Sequence, residues 1–251
     1  MESAVADKKD DLYATRLSKV EAFQFDRGVA EVFEDMIGRS VPGYALLLDM
    51  LSVITTGYAQ PGTRCYDLGC SLGASTLSIR SALRSDPDLH SCEIIAVDNS
   101  SDMVEKCIEN LAVESSHIAT QILCQDILDT EFDTASVVVM NFSLQFIPAA
   151  ARSDLLKRIA DGLVPGGVLV LSEKIDLNQS AEQEVLTSLH HGFKRMKGYS
   201  DLEIAQKRTA LEQVLVPDSI DTHRERLMDA GFSEAWRWFQ CFNFASILAV
   251  K

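Results

Sequence analysis

Small, amide and acidic side chains follow four short apolar stretches of the sequence, where strands of a parallel sheet are expected to end. Ligands of open parallel sheets bind in the crevice beyond the carboxyl ends of the strands, so these side chains are expected to line one pocket. In chain order the strand-end residues are Asp67, Gly69, Cys70, Ser71 and Gly73 for the first stretch, Asp98, Asn99 and Ser100 for the second, Asp126 and Ile127 for the third, and Asn141, Phe142 and Ser143 for the fourth.

The types of these residues favour a ligand that carries a sugar diol. Gly69 and Gly73 have no Cβ, which lets the backbone approach a ligand and lets a helix pack close to the strand. The carboxylate of Asp98 is suited to two ribose hydroxyls. The pair Asp126-Ile127 is suited to the amino group and one face of an adenine.

A dinucleotide site is a poorer match. Such sites have the pattern G-x-G-x-x-G and an acid about 20 residues further on. Here Asp98 follows Asp67 by 31 residues, and the carboxylate of Asp67 would repel a phosphate. A positively charged ligand therefore suits the loop better. The other alternative is a glycine turn without a cofactor, because a fold alone does not fix function.

The elements that must position these residues alternate between strands and helices. Helical segments are predicted over about 73–85, 101–116 and 149–162, and βαβ alternation of this kind indicates a doubly wound, mostly parallel α/β sheet. The five strand-length runs are "RCYDLG", "EIIAVD", "TQILCQD", "ASVVVMNF" and "GGVLVLSE".

Further segments flank this core. "FDRGVAEVFEDMI" and "YALLLDMLSVI" have helical spacing and predict N-terminal cap helices. Residues 179–230 predict a helical insert, interpreted as a substrate lid or an oligomer surface. "AWRWFQCFNFASILAV" predicts a C-terminal hairpin, which brings the sheet to seven strands. Residues 1–24 are expected to be a flexible arm, and residues 25–251 a single domain.

Net charge, apolar runs and cysteine spacing indicate which kinds of partner and which cellular compartment to expect. The chain has 251 residues and a formal net charge of -14, which disfavours direct contact with nucleic acid. No apolar run approaches the roughly 20 residues of a membrane span, so no membrane contact is expected. Six cysteines without a CxxC pair indicate a reducing compartment, and we expect a cytoplasmic protein. No metal is expected, because His190-His191 lacks a companion at metal spacing.

Seven motifs together resemble the carboxy-S-adenosyl-L-methionine synthase family, within the class I S-adenosylmethionine-dependent methyltransferase superfamily. The resemblance runs from about Phe25 to the C-terminus and implies a Rossmann-like methyltransferase fold. The motifs are "RSVPGY" (39–44), "YDLGCSLGASTLS" (66–78), "AVDNS" (96–100), "NFSLQF" (141–146), "LSEK" (171–174), "GYSDLEIAQKR" (198–208) and "WFQCFNF" (238–244).

The resemblance implies a particular reaction. S-adenosyl-L-methionine and prephenate are converted to carboxy-S-adenosyl-L-methionine and phenylpyruvate, and hydroxide leaving prephenate takes the methyl proton. A homodimer is implied, as is a partner enzyme that uses the product to carboxymethylate the wobble uridine of tRNA. The ligand contacts carried over are Tyr44, Gly69, Cys70, Ser71, Asp98, Asn99, Asp126, Ile127, Asn141 and Arg208.

Arg208 is the residue expected to be catalytic. A guanidinium binds a carboxylate in a bidentate fork, and the product carries a new carboxylate beside its sulfur. Without the resemblance, the "AQKR" segment would be interpreted as a solvated helical face. Tyr199 and Lys174 are weaker candidates for binding prephenate.

Two other functions remain open from the residues alone: an ordinary S-adenosylmethionine-dependent small-molecule methyltransferase, and a cofactor-binding scaffold for a tRNA-modifying partner. The chain also departs from the family pattern. Phe25-Asp26-Arg27 lacks an acid and Phe33-Glu34-Asp35-Met36 lacks a proline that are usual in the family, and both departures lie in the cap.

Overall fold

A computed structural model describes residues 8–178 and 181–251 of the chain. The described part contains nine α-helices and seven strands. The helices are α1 (Arg27–Ala30), α2 (Phe33–Ser40), α3 (Tyr44–Tyr58), α4 (Ala74–Ser85), α5 (Ser101–Ala112), α6 (Ala149–Gly162), α7 (Ala181–Met196), α8 (Asp201–Leu211) and α9 (Ile220–Asp229). The strands are β1 (Arg64–Leu68), β2 (Glu93–Asp98), β3 (Ala119–Cys124), β4 (Ala135–Asn141), β5 (Leu163–Lys174), β6 (Glu234–Cys241) and β7 (Phe244–Val250).

The seven strands form one sheet in the order β3-β2-β1-β4-β5-β7-β6. Strands β1 to β5 are parallel, and β7 runs antiparallel to both β5 and β6. The reversal of strand order at β1 and β4 opens the crevice in which such sheets bind ligands. The predicted doubly wound sheet with its C-terminal hairpin is confirmed.

Helices cover both faces of the sheet, which explains why the central strands are apolar throughout. One hydrophobic cluster joins the sheet to α6 and α9, with Leu156 and Leu227 fully buried. A second joins it to α3 and α4, with Leu51 and Ile79 fully buried. Strand β4 is buried along its length up to Asn141, whereas the edge strand β3 alternates.

The first cap segment differs from the continuous helix that its spacing predicts. Helix α1 ends at Ala30 and α2 begins at Phe33, because Val32 has a non-helical backbone (φ -124°, ψ 4°). The Val32 side chain is buried in a cluster with Phe23 and Met103. Packing against these distant residues bends the chain where the local pattern favours a helix.

The insert is also smaller than the stretch 179–230 suggests. Residues 179–180 lie outside the described residues. Helix α9 packs with α6 in the cluster that covers the sheet, and its Leu227 and the following Phe232 are buried there. Only α7 and α8 remain as an insert, and α7 packs against α2.

The described part of the N-terminal segment, residues 8–24, is packed, unlike the loose arm expected. Asp10 is 1% exposed, and its carboxylate accepts hydrogen bonds from Tyr199 and from Lys207. The Leu17 N–H donates to Gln206 Oε1 at 2.7 Å. These partners lie about 190 residues away along the chain, so a local reading of the sequence cannot find them.

No single described helix is long and apolar enough to cross a bilayer. The bent pair of α2 and α3, with 96° between its members, meets the requirements of length and composition when both helices are taken together.

Candidate active site

The loop after β1 is shaped by backbone conformations that bring it close to two other strand ends. Gly69 has φ +81°, and a Cβ placed there would lie 2.6 Å from the Cβ of Ser143 and 3.9 Å from Cδ1 of Ile127. The Gly69 and Cys70 N–H groups both donate to the Val97 carbonyl oxygen, at 2.8 and 3.0 Å. A residue with a side chain would therefore be strained and would clash, because positive φ favours glycine.

Asp98, the last residue of β2, ties this loop to the next helix. Its Oδ2 accepts the Ser71 N–H and its Oδ1 accepts the Ser100 N–H, each at 2.9 Å. Burial raises the pKa of Asp98. Each carboxylate oxygen has two acceptor sites, so the carboxylate can still accept two hydroxyl donors. Asn99 beside it is exposed.

The residues after β3 lie against the same loop. Asp126 caps a short 3-10 turn, and its Oδ1 accepts the Leu128 N–H at 2.8 Å. Ile127 is buried and lies close to Gly69, so its side chain forms an apolar wall of the crevice.

Three buried oxygens at the strand ends have no hydrogen-bond partner within the described residues: Asp67 Oδ1, Asn141 Oδ1 and Ser143 Oγ. The second polar atom of Asp67 and that of Asn141 are each fixed by a hydrogen bond. Thr76 donates to Asp67 Oδ2 at 2.6 Å, and Asn141 Nδ2 donates to Ser75 Oγ at 3.1 Å. Because unpaired buried polar atoms cost free energy, such a group points to a ligand that supplies donors or positive charge.

Burial raises the pKa of Asp67 to about 7 against the hydrogen bond from Thr76, and the nearby charge of Asp98 is a smaller contribution that acts in the same direction as burial. A cationic ligand beside Asp67 would reverse this effect and restore the carboxylate. The electrostatics of the crevice therefore favour a cation.

Tyr44, the first residue of α3, closes the crevice from the cap side. Its ring lies 6.4 Å from the ring of Phe142, centroid to centroid. Burial, followed by the charges of Asp67 and Glu34, raises the pKa of Tyr44 well above its usual range. The phenol therefore stays protonated and is available as a donor.

The cap is anchored to the strand ends through Phe25. Ser100 Oγ donates to the Phe25 carbonyl oxygen at 2.5 Å, and the Phe25 ring meets the Phe146 ring edge to face at 5.2 Å. The segment that leads into α1 is thus fixed to the residues after β2 and β4.

Arg208 lies on the exposed surface of the insert. It is on α8 with a side chain 60% exposed, and its Nε donates to Glu212 at 2.5 Å. It lines an open groove of about 430 Å³ together with His191 and Arg195 of α7. Among the described residues no hydrogen bond joins Arg208 to the strand-end residues. Its catalytic role stays a prediction.

Comparison with known proteins gives full-length relatives. A carboxy-S-adenosyl-L-methionine synthase of Hahella chejuensis is 58% identical over 249 residues, which are 98% of this chain and 100% of the relative. A protein of the same name from Marinobacter nauticus is 53% identical over 96% of this chain and 95% of the relative.

The chain belongs to the carboxy-S-adenosyl-L-methionine synthase family. The family resemblance identified from the sequence motifs is confirmed, and with it the class of enzyme, a transferase. A family model described as a methyltransferase domain also matches residues 66–167.

A solved structure agrees on the fold. Human N-acetylserotonin methyltransferase in complex with S-adenosylmethionine is 16% identical, with a TM-score of 0.59 over 90% of this chain and 55% of that chain. At this identity the likeness supports the methyltransferase fold alone.

The strand-end residues of this synthase family member fit S-adenosylmethionine. The ligand carries a ribose diol for Asp98, an adenine for the wall at Ile127 and two positive charges for the unpaired carboxylate oxygen of Asp67. Within the described ranges, no group of three or more His, Cys, Asp or Glu side chains is arranged to hold a metal ion.

Two residues with unpaired oxygens are absent from the predicted ligand contacts. The sequence predicts that Asp67 and Ser143 line the pocket as strand-end residues, but neither is among the contacts carried over from the family. The available signal for Ser143 was its place after Asn141, at the end of an apolar strand. The available signal for Asp67 was Thr76, nine residues further on, whose hydroxyl fixes one carboxylate oxygen.

Proposed function

We propose that this chain converts S-adenosyl-L-methionine and prephenate to carboxy-S-adenosyl-L-methionine and phenylpyruvate. The observation that carries the proposal is the set of strand-end residues with three unpaired buried oxygens, in a chain 58% identical to a carboxy-S-adenosyl-L-methionine synthase. Human N-acetylserotonin methyltransferase, whose fold is similar, is itself solved in complex with S-adenosylmethionine.

Each strand end has a distinct role in this proposal. The two oxygens of Asp98 accept the ribose hydroxyls, and Asp126 with Ile127 holds the adenine. The loop Gly69-Cys70-Ser71 takes the methionine part, with Asp67 Oδ1 facing its positive charge. Tyr44, Asn99 and Asn141 complete the contacts.

The proposed reaction balances without a side-chain base. Prephenate loses carbon dioxide and its ring hydroxide, and the ring becomes aromatic in phenylpyruvate. The hydroxide takes one proton from the sulfonium methyl group to form water. The resulting carbanion bonds to the carbon of carbon dioxide, which gives the carboxylated sulfonium. The enzyme's main task is to hold the two substrates in contact and exclude bulk water.

Arg208 is proposed to bind the new carboxylate. Its exposed position on α8 leaves two arrangements open, in which the guanidinium serves the crevice of its own chain or that of a second copy. We propose a homodimer. Exposed apolar side chains on α7, at Val185, Leu189 and Met196, support an interface on this helix.

The product is proposed to be passed, in the cytoplasm, to a tRNA carboxymethyltransferase that modifies the wobble uridine. The net charge of -14 supports a division of labour in which this chain supplies the donor and its partner binds the RNA. Four of the cysteines are buried free thiols, which supports a reducing compartment.

Mass spectrometry of the nucleoside products tests the reaction. The purified protein is incubated with S-adenosylmethionine, with and without prephenate. A species heavier by one carbon dioxide, formed only with prephenate, is the expected result. Return of unchanged S-adenosylmethionine from a protein that binds it would reject the reaction. Loss of carboxylated product in Arg208→Ala, with S-adenosylmethionine still bound, is expected for the synthase, whereas a methyltransferase would only be slowed.

A further inference from the structure

Basic side chains from three elements are gathered at the carboxyl end of β5, beside the insert. Lys174 is the last residue of β5, Lys194 lies on α7 and Lys207 lies on α8. Lys194 and Lys207 are only 7% and 4% exposed. Buried lysines are rare unless they are paired, so each of these needs a partner.

Lys207 has its partners within the protein. Its Nζ donates to Asp10 Oδ2 at 3.2 Å and to Ser40 Oγ at 3.1 Å. The same Asp10 oxygen also accepts the Tyr199 hydroxyl. Asp10 therefore neutralises Lys207 through the oxygen that also binds the Tyr199 hydroxyl.

Lys194 and Lys174 have no such partner. In residues 8–178 and 181–251, neither Nζ atom forms a hydrogen bond or an ion pair. Burial, followed by the charges of Lys207 and Lys174, lowers the pKa of Lys194 to about 7. Burial, followed by the charge of Arg208, lowers the pKa of Lys174. Asp10 opposes the shift at Lys194 and Glu212 opposes it at Lys174, but within the described residues neither carboxylate forms an ion pair with these lysines.

A row of aromatic contacts connects these lysines to the strand-end crevice. Lys174 pairs with Phe244 across β5 and β7, and the His190 ring lies 4.9 Å from the Phe244 ring. The Phe142 ring, at the end of β4, lies 5.9 Å from Phe244, and Tyr44 follows at 6.4 Å from Phe142. A ligand with an unsaturated ring and an acidic side chain matches this arrangement, because the ring can pack on the aromatic side chains and the acid can pair with the lysines.

We infer that Lys194 and Lys174 form the site for the 2-oxo acid side chain of prephenate, the part whose carboxylate is retained in phenylpyruvate. The inference rests on the proposed function. A cation paired with the departing carboxylate would stabilise the ground state and slow the loss of carbon dioxide, so the lysines suit the carboxylate that stays. The ring carboxylate then lies on the side of Tyr44, towards the sulfonium.

Phenylpyruvate binding tests the site without turnover. It is titrated calorimetrically into the S-adenosylmethionine-bound protein. Lys194→Met and Lys174→Met are each expected to weaken binding at least tenfold. Lys157→Met is the matched control, because Lys157 is exposed on α6 and paired with Asp161. This variant is expected to bind phenylpyruvate with the affinity of the unsubstituted protein. Equal affinity in Lys194→Met and the control would overturn the site.

Thermal stability separates binding from a structural role. Lys194→Met removes a buried cation that has no partner, so its melting temperature is expected to equal or exceed that of the unsubstituted protein. Lys207→Met removes a paired cation and is expected to melt at a lower temperature. A lowered melting temperature for Lys194→Met would assign Lys194 to the structural network instead. If this variant does not fold, Lys194→Gln takes its place.

The unsubstituted protein offers a test that needs no variant. Lys194 is faced by Lys207 of α8, Lys174 of β5 and Asp10 of the N-terminal segment, with His190 and His191 on its own helix.

As pH rises through about 7, Lys194 loses its proton, and the affinity for phenylpyruvate is expected to fall. A pH-independent affinity would contradict the site. If the protein neither binds phenylpyruvate nor carboxylates S-adenosylmethionine in the presence of prephenate, the proposed function itself is rejected. If the protein turns over prephenate and Lys194→Met binds phenylpyruvate as tightly as the unsubstituted protein does, only this inference is rejected.

Discussion

At the scale of single residues, Asp98 combines a structural and a ligand-binding role. Its position at the end of an apolar strand was enough to predict it as a site residue. The sequence does not reveal that both oxygens already accept backbone N–H groups, from Ser71 and Ser100. Nor does it reveal the unpaired oxygens of Asp67 and Ser143, because their isolation depends on contacts made by neighbours from other strands.

Asp98→Asn tests the ribose contact. The change keeps the shape but replaces one charged acceptor by an amide donor. Hydrogen bonds to charged groups contribute about 1.5–3 kcal/mol. We expect S-adenosylmethionine to bind at least about tenfold more weakly, measured by titration calorimetry. Asp161→Asn, at an exposed carboxylate of α6, is the control. Unchanged affinity for S-adenosylmethionine in Asp98→Asn would show that the Asp98 carboxylate does not bind the ribose hydroxyls.

At the scale of elements, the sequence predicts strands better than the arrangement of the cap. The central strands β1, β2, β4 and β5 contain short apolar runs buried on both faces, so their composition alone predicts them. The break between α1 and α2 arises from burial of Val32 against Phe23 and Met103. The packing of residues 8–24 arises from Asp10, whose partners Tyr199 and Lys207 lie far along the chain. No local pattern contains that information.

Glu173 joins two elements and makes stability depend on pH. Its oxygens accept the Leu144 and Gln145 N–H groups, which fixes the turn after β4 to the end of β5. Burial raises its pKa from 4.5 to about 8, against the hydrogen bonds from these groups. The folded state therefore holds a proton that the unfolded state has lost, and this contribution to stability decreases as pH rises from about 4.5 to about 8.

Glu173→Gln is expected to flatten this part of the pH profile. Denaturant unfolding is measured at several pH values across that window. The buried Asp67 contributes a slope of the same sign, whereas burial lowers the pKa of His190 and of His223, which contribute slopes of the opposite sign below about pH 6.5. The effect of Glu173 is therefore measured as the difference between the two profiles. Glu225→Gln, at an exposed position of α9, should leave the profile unchanged. A profile in Glu173→Gln as steep as in the unsubstituted protein would show that Glu173 does not carry the effect.

At the scale of the whole molecule, the proposed homodimer makes the outer surface of α7 an interface. Val185 and Leu189 are 57% and 47% exposed, one helical turn apart. Single exposed apolar residues are ordinary, but a stripe along one helix is typical of a contact surface. The exposed Arg208 lies on the neighbouring helix α8, so a second copy on this face would lie close to the guanidinium.

Analytical ultracentrifugation tests this assembly. The protein is expected to sediment as a dimer at micromolar concentration, and Val185→Glu is expected to shift it towards monomer, because a buried unpaired charge is costly at an interface. Val113→Glu, at an exposed valine after α5, is the control for added negative charge. A monomer in the unsubstituted protein would reject the homodimer, and a dimer in Val185→Glu would exclude this face.

The position of β7 between β5 and β6 has a consequence for biosynthesis. Strand β6 is translated before β7, yet it reaches the sheet only through β7. While β7 is still inside the ribosome, the nascent chain can assemble only the five parallel strands, with the apolar edge of β5 open. Unpaired edges of this kind promote aggregation. A nascent chain stalled before β7 has emerged from the ribosome should therefore depend on chaperones, until Phe244–Val250 emerge and close the sheet.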